Sequence, residues 1–115
     1  MQIRELTLQE LDIIYEMIEL KYELSYDEFE DLIYDMKDYK MFGIFECDIL
    51  LCYAGLTIET TLFLKRHLKI HELITVEIKN AQKYSDEMKL YLQDFAKISA
   101  CQSIIIQDTK SIFYL

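Results

Sequence analysis

Lys65-Arg66-His67, Lys69, Lys79 and Lys83 gather around a short polar crossing, Glu77-Ile78-Lys79-Asn80-Ala81-Gln82-Lys83, in a chain whose net charge is −9. Local positive charge in an acidic chain suits an anion. Before the crossing, Ile70-His71-Glu72-Leu73-Ile74-Thr75-Val76 is apolar and β-branched enough for a buried strand. After it, Met88, Tyr91, Leu92 and Phe95 recur at three- and four-residue steps, the spacing of an amphipathic helix. A helix that directly follows a sheet strand presents unpaired amide N–H groups at its first turn, a natural seat for phosphate. Residues 69–97 thus read as strand, crossing and helix, with the other elements layered around them. The alternative for Lys65-Arg66-His67 is a solvated loop that attracts nothing.

The run Leu68-Lys69-Ile70-His71-Glu72-Leu73-Ile74-Thr75-Val76-Glu77, the helix ending Leu92-Gln93-Asp94-Phe95-Ala96-Lys97, and Cys101 with the apolar strand after it resemble the GNAT superfamily of N-acetyltransferases. That family carries a pyrophosphate loop of the form (Arg/Gln)-x-x-Gly-x-(Gly/Ala), where this chain has Asn80-Ala81-Gln82-Lys83-Tyr84-Ser85. Asn80 stands for the arginine, Lys83 for the first glycine and Ser85 for the last small residue. The resemblance implies an α/β (α+β) fold, with a mixed, mostly antiparallel central sheet and helices on both faces. It covers residues 1–115 as one domain, without the family's last strands.

The same resemblance implies acetyl-CoA as donor, its pantetheine arm paired with the backbone of Leu73, Ile74 and Thr75. Its pyrophosphate would sit on the amides of Gln82, Lys83, Tyr84 and Ser85, in the loop that Asn80 opens. Glu72 is implied as the base that takes the amine proton, because family members often carry an acid at this strand position. Tyr114, in the family's Phe-Tyr pair, is implied as the group that protonates the leaving thiolate. His71, on the opposite side by strand alternation, reads as a packed histidine rather than a catalyst. The activity implied is acetyl transfer to a small-molecule or protein amine. The other reading, which the altered loop leaves open, is a GNAT-like binding or regulatory module acting through protein contacts.

The flanking sequence supplies the layers. Gln2 to Leu6 alternate as a short strand, and Thr7-Leu8-Gln9-Glu10 is a capping box opening a helix with Leu8, Leu11, Ile14, Tyr15, Ile18 and Tyr22 on one side. A second box, Ser25-Tyr26-Asp27-Glu28, opens a helix that turns Phe29, Leu32, Ile33 and Met36 inward. From residue 40 to 59 the period becomes extended, a hairpin turned at Cys47-Asp48. Residues 60–68 then connect to the central strand. Gly43 and Gly55, the only glycines, fall inside expected strands and mark a bulge or a close packing contact. Ile104-Ile105-Ile106 reads as a buried strand of the parallel type. Without further strands after Ile112-Phe113-Tyr114-Leu115, an open sheet edge is expected to pair two copies as a homodimer.

Composition narrows the setting. A chain of 115 residues is one domain's worth, and no apolar run approaches the ~20 residues that cross a bilayer. The amino terminus has no signal-peptide pattern, so a cytoplasmic protein is expected. Cys47, Cys52 and Cys101, odd in number and without a C-x-x-C pair, suggest small buried hydrophobes and no metal site. Residues 1–40 hold twelve acids against four bases, which argues against nucleic acid and suits either solvated helix faces or a basic acceptor such as a polyamine, lysine or an aminoglycoside.

Overall fold

The computed structural model describes residues 1–76 and 78–107. Strand β1 (Gln2–Leu6) leads through a 3-10 turn at Leu8–Glu10 into α1 (Leu11–Ile18), and α2 (Tyr26–Asp35) follows. Strands β2 (Lys40–Glu46), β3 (Ile49–Thr61) and β4 (Lys65–Thr75) come next, then α3 (Ala81–Ile98) and β5 (Ser103–Ile106). The strands lie in sequence order in one sheet. Every neighbouring pair is antiparallel except β4 and β5, which run parallel and are joined by α3.

The first two helical segments start from side-chain chemistry. The Ser25 hydroxyl accepts the Glu28 N–H at 3.1 Å while the Glu28 carboxylate accepts the Ser25 N–H at 3.3 Å. Glu10 accepts the Thr7 N–H at 3.0 Å and also takes two bonds from the Arg4 guanidinium, at 3.0 and 2.7 Å. This fixes the first helical turn to strand β1. The Arg4 pair holds the Glu10 carboxyl below the ordinary range.

Helices cover both faces of the sheet. On one, Leu11, Ile14, Met17 and Ile18 of α1 and Phe29 and Ile33 of α2 pack on Phe45, Tyr53 and Ile74. On the other, Met88, Leu92 and Ala96 of α3 bury against Phe42, Ile44, Leu56 and Ile70. Tyr91 and Phe95, expected on the same stripe, are half-buried at its margins and close on the Phe42 ring, with centroids 5.9 and 5.0 Å away.

Some expectations need correction. Leu8, Tyr22, Leu32 and Met36 were expected on core-facing stripes, yet each is at least a third exposed. Tyr22 lies beyond the end of α1, and Leu8 belongs to the 3-10 turn before it. Residues 60–68 are not a connecting loop: β3 runs to Thr61, β4 starts at Lys65, and only Leu62-Phe63-Leu64 turn between them. Cys52 is buried, as a small hydrophobe would be, but Cys47 is exposed because it forms a turn. Gly43 is a packing accommodation, since a Cβ there would meet a Leu50 methyl at 2.6 Å. The expected open edge beyond Ile112 lies outside the described residues. No described helix is long and apolar enough to cross a membrane.

The β2–β3 hairpin turn sets two non-glycine residues in the left-handed region. Glu46 pairs with Ile49, and both residues between them have positive φ, 49° at Cys47 and 63° at Asp48. That is the two-residue geometry for which Asn-Gly is the best filling. Cys47→Asn with Asp48→Gly is expected to stabilise the fold by about 1 kcal/mol, read as a higher urea midpoint at unchanged slope. A lower midpoint would count against this account of the turn.

Candidate functional site

The site is built on an irregularity in β4. Gly55 of β3 stands opposite Glu72, but Leu56 stands opposite Ile70, so β4 carries one extra residue, His71. A bulge of this kind puts two successive side chains on one face of the sheet. Ile70 therefore points to the α3 core and Ile74 to the α1/α2 core, although both positions are even. Between them, His71 and Glu72 share the α1/α2 face. Strict alternation had placed His71 opposite Glu72; the bulge defeats it.

Glu72 is held there by two phenols. Tyr39, on the link between α2 and β2, lies across Gly55 and donates its O–H to the Glu72 carboxylate. Its oxygen is 2.7 Å from the Tyr53 hydroxyl. Because the Tyr39 proton is committed to Glu72, Tyr53 is the donor in that second bond. Burial and the nearby carboxylate hold both phenols far above their ordinary range. Burial also raises Glu72 above the usual carboxylate range, against the bond from Tyr39 and the neighbouring His71, which pull it down. Sequence reasoning singled out Glu72 and not Tyr39. The signal that pointed toward Tyr39 was Gly55, a glycine inside a strand with no turn to make.

His71 belongs to a polar set beside this pair. Its Nε2 is 2.7 Å from the Thr57 hydroxyl, which donates to Glu59, and its Nδ1 is 3.0 Å from the Gln107 side-chain oxygen. The imidazole and Tyr39 rings lie 6.3 Å apart.

In front of Glu72 a cavity of about 250 Å³ opens between α1, α2 and the sheet. Ile18, Phe29, Leu32, Ile33 and Met36 form its apolar wall, with Tyr22 and Tyr39 beside the carboxylate. The exposure of Leu32 and Met36 thus has a cause: they face a hollow rather than a packed core.

The other half of the site is the edge of β4. Pairing with β5 runs from His67/Ser103 to Ile70/Ile106, and a last bond joins the Gln107 N–H to the Ile70 carbonyl at 2.9 Å. From Glu72 to Thr75 no described strand flanks β4 on that side. Toward β3, the Val76 N–H donates to the Leu51 carbonyl at 3.0 Å. Antiparallel alternation then commits Ile74 to β3 and turns the N–H and C=O of Leu73 and Thr75 to the open edge. The Lys21 ammonium donates to the Leu73 carbonyl at 3.5 Å, on that edge. Of the three strand residues expected to pair with a donor arm, Leu73 and Thr75 have the geometry. Ile74 does not, since its amide serves the sheet.

The start of α3 is only partly suited to a diphosphate. Asn80 caps the helix from the left-handed region, φ 74°, with no side-chain capping bond. Two of the first three helix amides are engaged, Ala81 with the Ile78 carbonyl at 3.1 Å and Lys83 with the Asn80 carbonyl at 3.0 Å. Gln82 donates through its side chain to Asp86 at 2.8 Å. Tyr84 packs against the α3 core, Ser85 is half-buried, and the Lys83 side chain is exposed.

Lys65-Arg66-His67 do not belong to this seat. Arg66 donates from Nε to the Ser99 carbonyl at 2.8 Å, at the carboxyl end of α3. At 1.5 Å per residue, α3 separates that end from Asn80 by about 27 Å. Arg66 caps a helix terminus whose dipole favours a cation, and His67 is buried, with Nδ1 2.9 Å from the Lys65 carbonyl. Tyr114 lies outside the described residues. Among the described residues, no cluster of three or more histidines, cysteines or acids could hold a metal.

Two measurements bear on this geometry. Gly55→Ala drives a methyl into the Tyr39 hydroxyl, so it is expected to cost about 1–3 kcal/mol in denaturant unfolding, and an unchanged midpoint would refute the close approach. Glu72 binds its proton more tightly folded than unfolded, so it favours the folded state at low pH, and that gain is lost as pH rises toward its folded pKa. Relative to Glu72→Gln, the parent chain should lose stability as pH rises above the ordinary glutamate range of about 4.3. Parallel pH curves for the two would contradict the raised value.

Comparison with known proteins agrees with the topology. No protein-family model and no curated protein sequence matches this chain. Solved structures do. A probable acetyltransferase superposes with TM-score 0.80 at 16% identity, over 96% of this chain and 81% of its own. A GNAT family acetyltransferase from Staphylococcus aureus gives 0.75 at 11% identity, over 99% and 90%. An aminoglycoside antibiotic 6′-N-acetyltransferase from Acinetobacter haemolyticus gives 0.80 at 9% identity, over 96% and 81%. At such low identities the likeness is one of architecture, and by its strand order, its helices on both faces and these superpositions the chain has the GNAT acetyltransferase fold.

Proposed function

We propose that this chain is an acetyl-CoA-dependent N-acetyltransferase acting on a primary amine. The observation that carries the reading is the placement of Glu72, a half-buried carboxylate lining a cavity and one residue before the open edge of β4. Acceptor and donor would meet there. Leu73 and Thr75 would receive the pantetheine arm through backbone bonds, with the Leu73 carbonyl exchanging its Lys21 ammonium for the arm's amide. Lys83 and the amides at the start of α3 would face the diphosphate, weakly, because Ala81 and Lys83 already have partners.

Acetyl-CoA supplies a thioester carbonyl, on which amine attack forms the C–N bond as the C–S bond breaks. Glu72 takes the proton that the amine must lose. A carboxylate raised above its ordinary range is a better base near neutral pH than an exposed one, and the Tyr39 bond keeps it ionised and aimed. Tyr114 is the residue proposed to return a proton to the thiolate, on the strength of the Phe-Tyr pair in the sequence.

Calorimetric titration with acetyl-CoA, followed by an assay of thiol release with an amine panel, tests the reading. Donor binding with transfer is expected, and Glu72→Gln should lower kcat/KM by roughly 10²–10⁴ while leaving donor affinity intact. Tyr39→Phe removes a bond that lowers the Glu72 pKa, so the acid limb of the rate profile should move to higher pH. Absence of donor binding at millimolar concentration would overturn the proposal. Donor binding without transfer to any amine would leave a binding module in its place.

A further inference from the structure

The cavity in front of Glu72 differs from what the acidic surface suggests. Residues 1–40 carry twelve acids, five of them in α2 itself, Asp27, Glu28, Glu30, Asp31 and Asp35. None of those five lines the hollow. Glu72 is the one charged side chain among the described residues that do, and the wall opposite it is aliphatic and aromatic. A polycation placed there would satisfy one ammonium and strand the others against Leu32, Ile33 and Met36, where a charge loses hydration without gaining a partner.

We infer that the acceptor pocket takes a single primary ammonium group on an apolar body, the ammonium paired with Glu72 and the body laid along Ile18, Phe29, Leu32, Ile33 and Met36. The inference rests on the proposed transferase reading and narrows its acceptor. Size agrees: about 250 Å³ is below the ~300 Å³ at which pockets for drug-sized molecules begin, so the body is small or is the end of a longer chain. The half-exposed Leu32 and Met36, at 47% and 38%, are the side chains such a body would cover. Tyr22 and Tyr39 stand beside the carboxylate and close the polar end.

Binding in the absence of donor tests this without relying on catalysis. The intact chain is titrated, by calorimetry and by thermal shift, with phenethylamine, hexylamine, ethylamine, spermidine and kanamycin. Phenethylamine and hexylamine are expected to bind at least about tenfold tighter than ethylamine, with spermidine and kanamycin weaker than either apolar amine. Leu32 is half exposed, so Leu32→Glu should fold; it places a second carboxylate in the hollow and should reverse the order, weakening phenethylamine and strengthening spermidine. Glu72→Gln should weaken phenethylamine and hexylamine together.

Equal or tighter binding of spermidine or kanamycin by the parent chain would overturn the inference, as would an unaltered order in Leu32→Glu. The two proposals fail separately. Apolar amines that bind in this order but accept no acetyl group would remove the transferase and keep the pocket. Transfer confined to kanamycin or spermidine would keep the transferase and remove the pocket assignment.

Discussion

One extra residue in β4 decides what the rest of the molecule can do. Without His71 inserted opposite the Gly55/Leu56 pair, a strand that points Ile70 at α3 would point Glu72 there as well, into a core of Phe42, Ile44, Met88 and Leu92. A carboxylate in that layer would have no partner, at a cost of several kcal/mol. The bulge moves it to the face where two phenols wait. Tyr53 and Tyr39 then form a directed chain of O–H donors ending on Glu72, which satisfies the half-buried charge and fixes its orientation. Gly55 is the matching concession on β3: the Tyr39 ring passes where a side chain would stand.

The same irregularity coincides with the parting of β4 from β5. The parallel ladder holds through Ile70, and beyond it the two strands no longer pair. Among the described residues, no strand pairs with β4 at Leu73 and Thr75 on that side. In consequence, backbone groups able to receive an extended ligand begin one residue after the carboxylate able to receive a proton. Lys21, reaching the Leu73 carbonyl from the end of the α1 region, shows that this edge already accepts a donor from outside the sheet.

The layers were legible in the sequence because local chemistry specified them. The Ser25/Glu28 capping box, the Met88/Leu92 spacing and the alternation of β2 and β3 each encode an element within a few residues. The irregular features were not. His71 sits in a strand with no glycine or proline to announce a bulge, and the sign of it lay on the partner strand, at Gly55. Lys65-Arg66-His67 looked like a loop because three polar residues follow Leu62-Phe63-Leu64, which contains none of the usual turn residues; in fact Lys65 itself adopts φ 58° to close the turn. Tyr39 is one of nine tyrosines, on a linker, and only the tertiary fold selects it. Leu32 and Met36 fit the helical apolar stripe, but periodicity says which face is apolar and not whether another side chain fills the space before it.

That last distinction also separates the two meanings of charge in this protein. Four of the five acids of α2, Asp27, Glu28, Asp31 and Asp35, are exposed, and screening over about 8–10 Å reduces them to a diffuse attraction for any cation. Inside the cavity the dielectric is lower and the choice is stricter, because each ammonium brought in must find a carboxylate and each methylene a methyl. Surface charge can raise the local concentration of many amines, whereas the hollow before Glu72 has partners for one charge and several carbons. On the proposed reading, the selection of an acceptor therefore follows from the inner wall of α1 and α2, which net charge does not report.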